Sequence, residues 1–196
     1  LNPVACPIVF PLSNPDTKAE CTFEEAMRCT GNRVLFASGT AFPNYTVPET
    51  GEVKVPGQGN NMYAFPAIGL GATLCKPERI TDTMLFAVAK ALANSLNEQE
   101  RACGELYPRI ERLRNVAAGL AAAFITQAVC EGLAQDQHWV DVVKSTMAEE
   151  NMSKTAVTGK YSKRVLGEVK TLMWSPASSV EQYIVEAVAT VNPDDI

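Results

Sequence analysis

Histidine occurs once in 196 residues, as His138, and that single count excludes any site needing two imidazoles. A Ser-His-Asp triad would have to run through the same residue, which sits beside Trp139 in a helix-like stretch and reads as a packed or capping histidine. Cysteine is scattered: Cys6, Cys21, Cys29, Cys75, Cys103 and Cys130 never fall in a CxxC pair, so reduced core or surface thiols are expected. Positive charge is in deficit. Seventeen Lys and Arg face 22 Asp and Glu for a net charge of −5, which disfavours nucleic acid as a partner. No run reaches the ~18 uninterrupted apolar residues of a membrane span, and the longest, Val116 to Val129, is broken at Thr126 and Gln127. The opening LNPVACPIVF has neither the basic start nor the apolar core of a secretory signal, so a cytoplasmic or organelle-matrix setting is expected. The glycosylation sequons at Asn44 and Asn151 then carry no weight. Neither GxGxxG after a strand nor GxxxxGK[ST] occurs, and no carboxylate cluster suggests a divalent metal.

What is present is an α/β pattern. Pro7 to Leu12 is a short apolar run closed by Ser13-Asn14-Pro15-Asp16, the signature of a strand buried on both faces. Thr22-Phe23-Glu24-Glu25 has the spacing of a capping box and opens a helix to about Thr30, stopped by Gly31-Asn32. Val34 to Gly39 is a second strand. Strand, helix and strand at this distance predict a parallel βαβ unit. Thr40 to Gly59 reads as an irregular excursion with a small hairpin at Thr50-Gly51. The pattern then turns helical. Ile80-Thr81 with Leu85 predicts a capped and stapled helix whose inner face is Met84, Leu85, Val88, Leu92 and Leu96. A longer helix from about Pro108 carries Ile110, Leu113, Val116, Leu120, Phe124 and Ile125. Residues 149–163 are polar and read as a linker or exposed loop.

Ligands of open α/β sheets bind at the carboxyl ends of strands, which singles out Ser13-Asn14-Pro15 and Ser38-Gly39. Asn14 offers a donor and an acceptor to a small polar ligand, or else shapes a turn with Asp16. In Gly57-Gln58-Gly59-Asn60-Asn61, two glycines would permit positive φ and close ligand approach. The helix-like run behind them would present free amides to a carboxylate or phosphate. The alternative is loop glycines with an asparagine N-cap. Gly69-Leu70-Gly71 lacks the third glycine of a dinucleotide fingerprint and suits close helix packing.

PIVFPLSNPDTKAECT, VLFASGTAF, VPGQGNNMYAFPAIGLG, RITD and ELYP, in this order, resemble the malic enzymes from about Pro7 to Phe124. The resemblance implies a partial Rossmann-like parallel sheet of two or three strands with a predominantly helical C-terminal portion. Residues 1–134 would be the later half of the dinucleotide-binding domain, and 135–196 a helical tail. The implied activity is oxidative decarboxylation of L-malate to pyruvate and CO2 with NAD or NADP and Mg2+ or Mn2+. Asn14, Asn60 and Asn61 would contact malate and the nicotinamide end of the cofactor, with Ser13 and Gly39 lying along the cofactor through their backbones. The family's catalytic tyrosine and lysine, its metal ligands and its phosphate loop would lie upstream, so this piece would be inactive alone. The remainder of the chain and further copies in a homo-oligomer would be its partners, without membrane association. The pattern loosens after about Gly132, although Met173-Trp174-Ser175-Pro176 resembles the family's C-terminal segment. Alternatives are a malolactic enzyme, within the same family, or a non-catalytic assembly or regulatory module.

Overall fold

A computed structural model describes residues 6–149 and 159–174. The βαβ unit is present. β1 (Ile8–Val9) pairs in parallel with β2 (Leu35–Ser38), with Ile8 opposite Leu35. Between them runs α1 (Phe23–Cys29), opened by the expected capping box. The Glu25 amide donates to Thr22 Oγ1 at 3.2 Å, and the Thr22 amide donates to Glu25 Oε2 at 2.8 Å. Thr30 closes the helix, and the stop expected at Gly31-Asn32 takes the form of a left-handed turn, with φ of 60° and 62°. Phe23, Ala26 and Met27 of α1 pack with Val34 and Phe36 into a small core.

The excursion contains the hairpin, β3 (Tyr45–Thr46) against β4 (Val53–Lys54), with Gly51 at φ 71° in its connection. It returns as β5 (Gly57–Gln58), parallel to β2, giving the sheet order β1-β2-β5. One expectation fails at β1. The strand forms an edge, and Ile8, Phe10 and Leu12 are 60%, 44% and 55% exposed, so the run is not buried on both faces. Alternate residues share a face, and this one stays largely in solvent, with Phe10 packed against Tyr107.

The larger core is helical. α2 (Phe65–Cys75), α3 (Asp82–Asn94), the short α4 (Glu98–Ala102), α5 (Leu113–Cys130), α6 (Gln137–Glu149) and α7 (Lys163–Leu172) follow in order. α5 is the axle: α2, α3, α6 and α7 all pack on it, and Val116 to Thr126 are buried without a break. It is long and apolar enough to cross a membrane by length and composition, yet 72% of that stretch is buried within the protein. A helix buried all round needs no amphipathic stripe, which is why the one-face pattern read from Leu113 to Ile125 understates it. On α3 the inner face is Met84, Ala87, Val88 and Ala91. Leu85 and Ile80 of the expected staple are 42% and 49% exposed, while the Thr81 cap stands, accepting from the Met84 amide at 3.2 Å.

Gly71 explains itself. A Cβ there would come within 2.8 Å of the Phe124 ring, so α2 and α5 approach closely only because the position is glycine, whereas Gly69 has nothing within 4 Å. His138 is neither packed nor a cap. Its exposed ring bonds Glu168 of α7 at 2.8 Å and meets Trp139 edge-on. Of the polar stretch 149–163, residues 150–158 lie outside the described residues. Gly159 and Ser162 are buried, Gly159 against Ala87 and Ala91 of α3 and Ser162 as the N-cap of α7. Asn151, Ser175 and Pro176 also lie outside the described residues.

Candidate functional site

The carboxyl ends of the three parallel strands meet around Gly39. The amide of Gly39 donates to the Pro11 carbonyl at 3.0 Å, which ties the end of β2 to the chain leaving β1. A Cβ on Gly39 would fall 2.4 Å from the Leu12 carbonyl oxygen and 3.0 Å from Asn14 Nδ2, so the two turns touch through this residue. From the third strand, Asn60 Nδ2 donates to the Gly39 carbonyl at 3.4 Å, and the Gly59 amide donates to the Ser38 carbonyl at 2.8 Å. Asn14, Gly39 and Asn60, which are 46 residues apart in the chain from first to last, are thereby brought together. Asn14 is exposed, and a cis peptide joins it to Pro15.

Ser13 and Asn61 stand differently. The Ser13 hydroxyl donates to Glu20 Oε1 at 2.7 Å and its amide to Glu20 Oε2 at 3.3 Å. The Ser13 hydroxyl, and then backbone amides, hold the Glu20 carboxyl below the usual carboxylate range. Ser13 and Glu20 thus close the loop that carries Asn14. Glu20 escaped the sequence reading, although an acid seven residues after Ser13 in a turn-rich segment was a visible candidate. Asn61 lies beside Asn60, is exposed, and begins a 3-10 turn, Asn61–Tyr63. Asp16 starts another 3-10 turn and accepts from the Thr17 amide, the turn-shaping role anticipated for it.

Two parts of the physical reading of GQGNN are corrected. Gly57 and Gly59 are absent from the positive-φ positions, so conformational freedom is not what selects them. Gly57 is buried in β5, where a Cβ would crowd the Phe36 carbonyl at 3.1 Å. At Gly59 a Cβ would meet the Tyr107 ring at 3.2 Å. Nor are the amides of residues 62–64, early in the helical run, open to a ligand. The Met62 amide donates to Asn60 Oδ1 at 3.0 Å, and those of Tyr63 and Ala64 donate to the carbonyls of Asn60 and Asn61. Asn60 is an N-cap as well as a tie to Gly39, and what the loop offers a ligand is side-chain carboxamide rather than helix-end amide.

Tyr107 was missed as a part of this site. Its ring supports Gly59 and packs against Tyr63 at 5.5 Å and Phe10 at 6.4 Å. The segment carrying it is braced from below. Glu100, fully buried, accepts from the amides of Asn97 (2.8 Å) and Arg109 (3.0 Å) and pairs with Arg112. Burial opposes ionisation of Glu100, but the Arg112 guanidinium and those amides outweigh it and keep the carboxyl below its usual range. Tyr63 donates its hydroxyl to the Pro108 carbonyl at 2.6 Å, and burial, followed by nearby carboxylates, pushes its phenol up to about 12. A cavity of about 430 Å3 adjoins the loop, between Gly57-Gln58 and the 105–111 segment. Among the described residues no group of three or more His, Cys, Asp or Glu side chains could hold a metal ion.

Parallel strands in the order β1-β2-β5, with a glycine and two carboxamides gathered at their carboxyl ends, have the arrangement of an open α/β sheet, the class in which ligands sit at strand ends. The chain belongs to the malic enzyme family: the model described as "Malic enzyme, NAD binding domain" matches residues 2–129. It is 45% identical over 129 residues to an NADP-dependent malic enzyme of Dictyostelium discoideum, covering 66% of this chain and 23% of that protein. It is 36% identical over 170 residues to a mitochondrial NAD-dependent malic enzyme of Amaranthus hypochondriacus, covering 87% of this chain and 25% of that one. The human NADP-dependent malic enzyme is 38% identical over 125 residues, covering 64% of this chain and 22% of its own length. The chain spans about a quarter of the length of these relatives.

Proposed function

We propose that this chain forms the nicotinamide-facing and malate-facing part of an enzyme that oxidises L-malate with NAD or NADP and releases pyruvate and CO2. The observation that carries the reading is the convergence of Asn14 and Asn60 on Gly39 at three strand ends. The residues fit a polar ligand of this kind. Asn14, beside Gly39, and Asn61, next to Asn60, are exposed carboxamides, each able to donate to a carboxylate or hydroxyl and accept from a carboxamide. Ser13 and Glu20 fix the loop of Asn14, and Tyr107 fixes the loop of Asn61. Gly39 and Ser13 use their amides on Pro11 and Glu20, so their part is to shape the floor along which a cofactor lies. When bound, the nicotinamide ring accepts the hydride. The protein's part is to hold malate in register with it, and the gain comes from orientation. The Mg2+ or Mn2+ of the reaction is held, on this reading, by acidic groups outside these 196 residues. Residues 1–134 then act as the later part of the dinucleotide-binding domain and 135–196 as a C-terminal portion whose described helices, α6 and α7, pack on α5, in a homo-oligomer.

The test compares two samples with malate, Mn2+ and either nicotinamide cofactor, followed at the absorbance of reduced cofactor. The complete enzyme is expected to turn over, and Asn14→Ala in it to lower kcat/KM by at least about ten-fold, a loss of ~1.4 kcal/mol. The 196-residue chain alone is expected to match the blank. Turnover by the chain alone, or unaltered kinetics for Asn14→Ala, would remove this reading.

A further inference from the structure

A second cleft, of about 200 Å3, lies at the amino ends of β1 and β2, away from the candidate site. Cys6, which precedes β1, and Cys103, which closes α4, both line it. Leu35 lies between their two segments. Its amide donates to the Pro7 carbonyl at 2.8 Å, and its side chain lies 3.2 Å from where a Cβ on Gly104 would sit. Cys6 Sγ donates to the Arg33 carbonyl at 2.9 Å. Both thiols are exposed and free.

The remaining cysteines are set apart from this pair. Cys75 is buried, and burial pushes its thiol up to about 12. Cys21 is half-buried, its thiol raised by burial and by Glu25 and Glu20. Cys130 rests 3.6 Å from the Met147 sulfur, and Cys29 is exposed but does not line the cleft. Two cations, Arg33 and Lys54, share the cleft wall with the pair. The first donates to the Thr30 carbonyl and the second pairs with Glu52. Glu52 offsets the charge of Lys54, so the Arg33 guanidinium is what favours an anionic reactant on this wall.

We propose that Cys6 and Cys103 form a paired thiol site that reacts with an anionic low-molecular-weight disulfide, of which oxidised glutathione is the example, and closes into an internal disulfide. The Cys103 thiolate attacks one sulfur of the glutathione disulfide, forming a mixed disulfide and releasing one glutathione thiolate. The Cys6 thiolate then attacks the Cys103 sulfur and releases the second. Two protein thiols are oxidised, one disulfide is reduced to two thiols, and the two protons leave on glutathione. The new bond needs its Cα atoms within about 7 Å, so Cys103, in the turn that closes α4, and Cys6, ahead of β1, have to close on each other across the cleft. The bridge would pin the start of β1 to the segment that seats Tyr107 on Gly59.

The experiment uses the reduced 196-residue chain and oxidised glutathione, read by intact mass, thiol titration and peptide mapping. The expected result is loss of two of the six free thiols, no retained glutathione, and a single linked peptide pair holding Cys6 and Cys103. In Cys6→Ser the glutathione is expected to stay on Cys103, because nothing resolves it. In urea the linkage is expected to lose its preference for this pair. Separate adducts on Cys6 and Cys103 in the native chain, a link through Cys29, or no reaction at either sulfur would each overturn the proposal.

Discussion

Asn60 and Asn61 are adjacent and chemically identical, yet the fold gives them different work. Asn60 spends its oxygen on the Met62 amide and its nitrogen on the Gly39 carbonyl, while Asn61 is exposed at the start of the turn. Asn60→Ala is therefore expected to lower the stability of the chain by about 1 kcal/mol, the ordinary worth of an N-cap, as well as impair the complete enzyme. Asn61→Ala is expected to leave the melting temperature in place and lower kcat/KM for malate by about ten-fold or more. Melting curves and steady-state kinetics on both variants check the split. A stability loss confined to Asn61→Ala would reverse the assignment. At this scale the sequence pointed to the pair without distinguishing its members, because an N-cap and a ligand contact both favour asparagine.

Among the elements, the α2–α5 contact and the braced segment before α5 depend on single positions. Gly71→Ala drives a Cβ into the Phe124 ring and is expected to cost about 1–3 kcal/mol, while Gly69→Ala meets open space and should gain up to ~1 kcal/mol from better helix propensity. Urea midpoints for the two variants separate packing from propensity. Glu100 sets the acid limit of the 97–112 segment. Its folded carboxyl lies below its ordinary range, so its contribution is present above the ordinary carboxylate pKa and is lost as pH falls through the folded one. Glu100→Gln should destabilise the chain at neutral pH and flatten the acid side of its stability profile, with the difference from the parent shrinking toward low pH. An equal loss at every pH would show that the carboxylate's ionisation is immaterial.

At the scale of the whole molecule, the three-stranded sheet ends at β1 with a row of large apolar side chains in solvent. An uncovered apolar edge is a pairing template. The chain is expected to self-associate as its concentration rises, and Ile8→Lys to shift light scattering toward the monomer while preserving the circular dichroism spectrum. A strictly monomeric parent at high concentration would contradict this.

Much of the architecture follows from local chemistry. The Thr22–Glu25 box, the Gly31-Asn32 stop, the β-prone runs and the hairpin at Gly51 are set by neighbours a few residues apart, so they could be read in order along the chain. The motif order SNP, then GQGNN, is likewise written in the sequence itself, and the family is legible in it. What tertiary structure decided is whatever depends on contacts between distant residues. It exposed Ile8, Phe10 and Leu12 where an apolar run implied burial, and it buried α5 on all sides where spacing implied one face. It also gave Gly39, Gly57 and Gly59 their reason, since each is small because a particular carbonyl or ring lies against it. A glycine's own chemistry says only that it can be approached closely. Which atom makes that approach is settled by the packing of strands and helices from elsewhere in the chain.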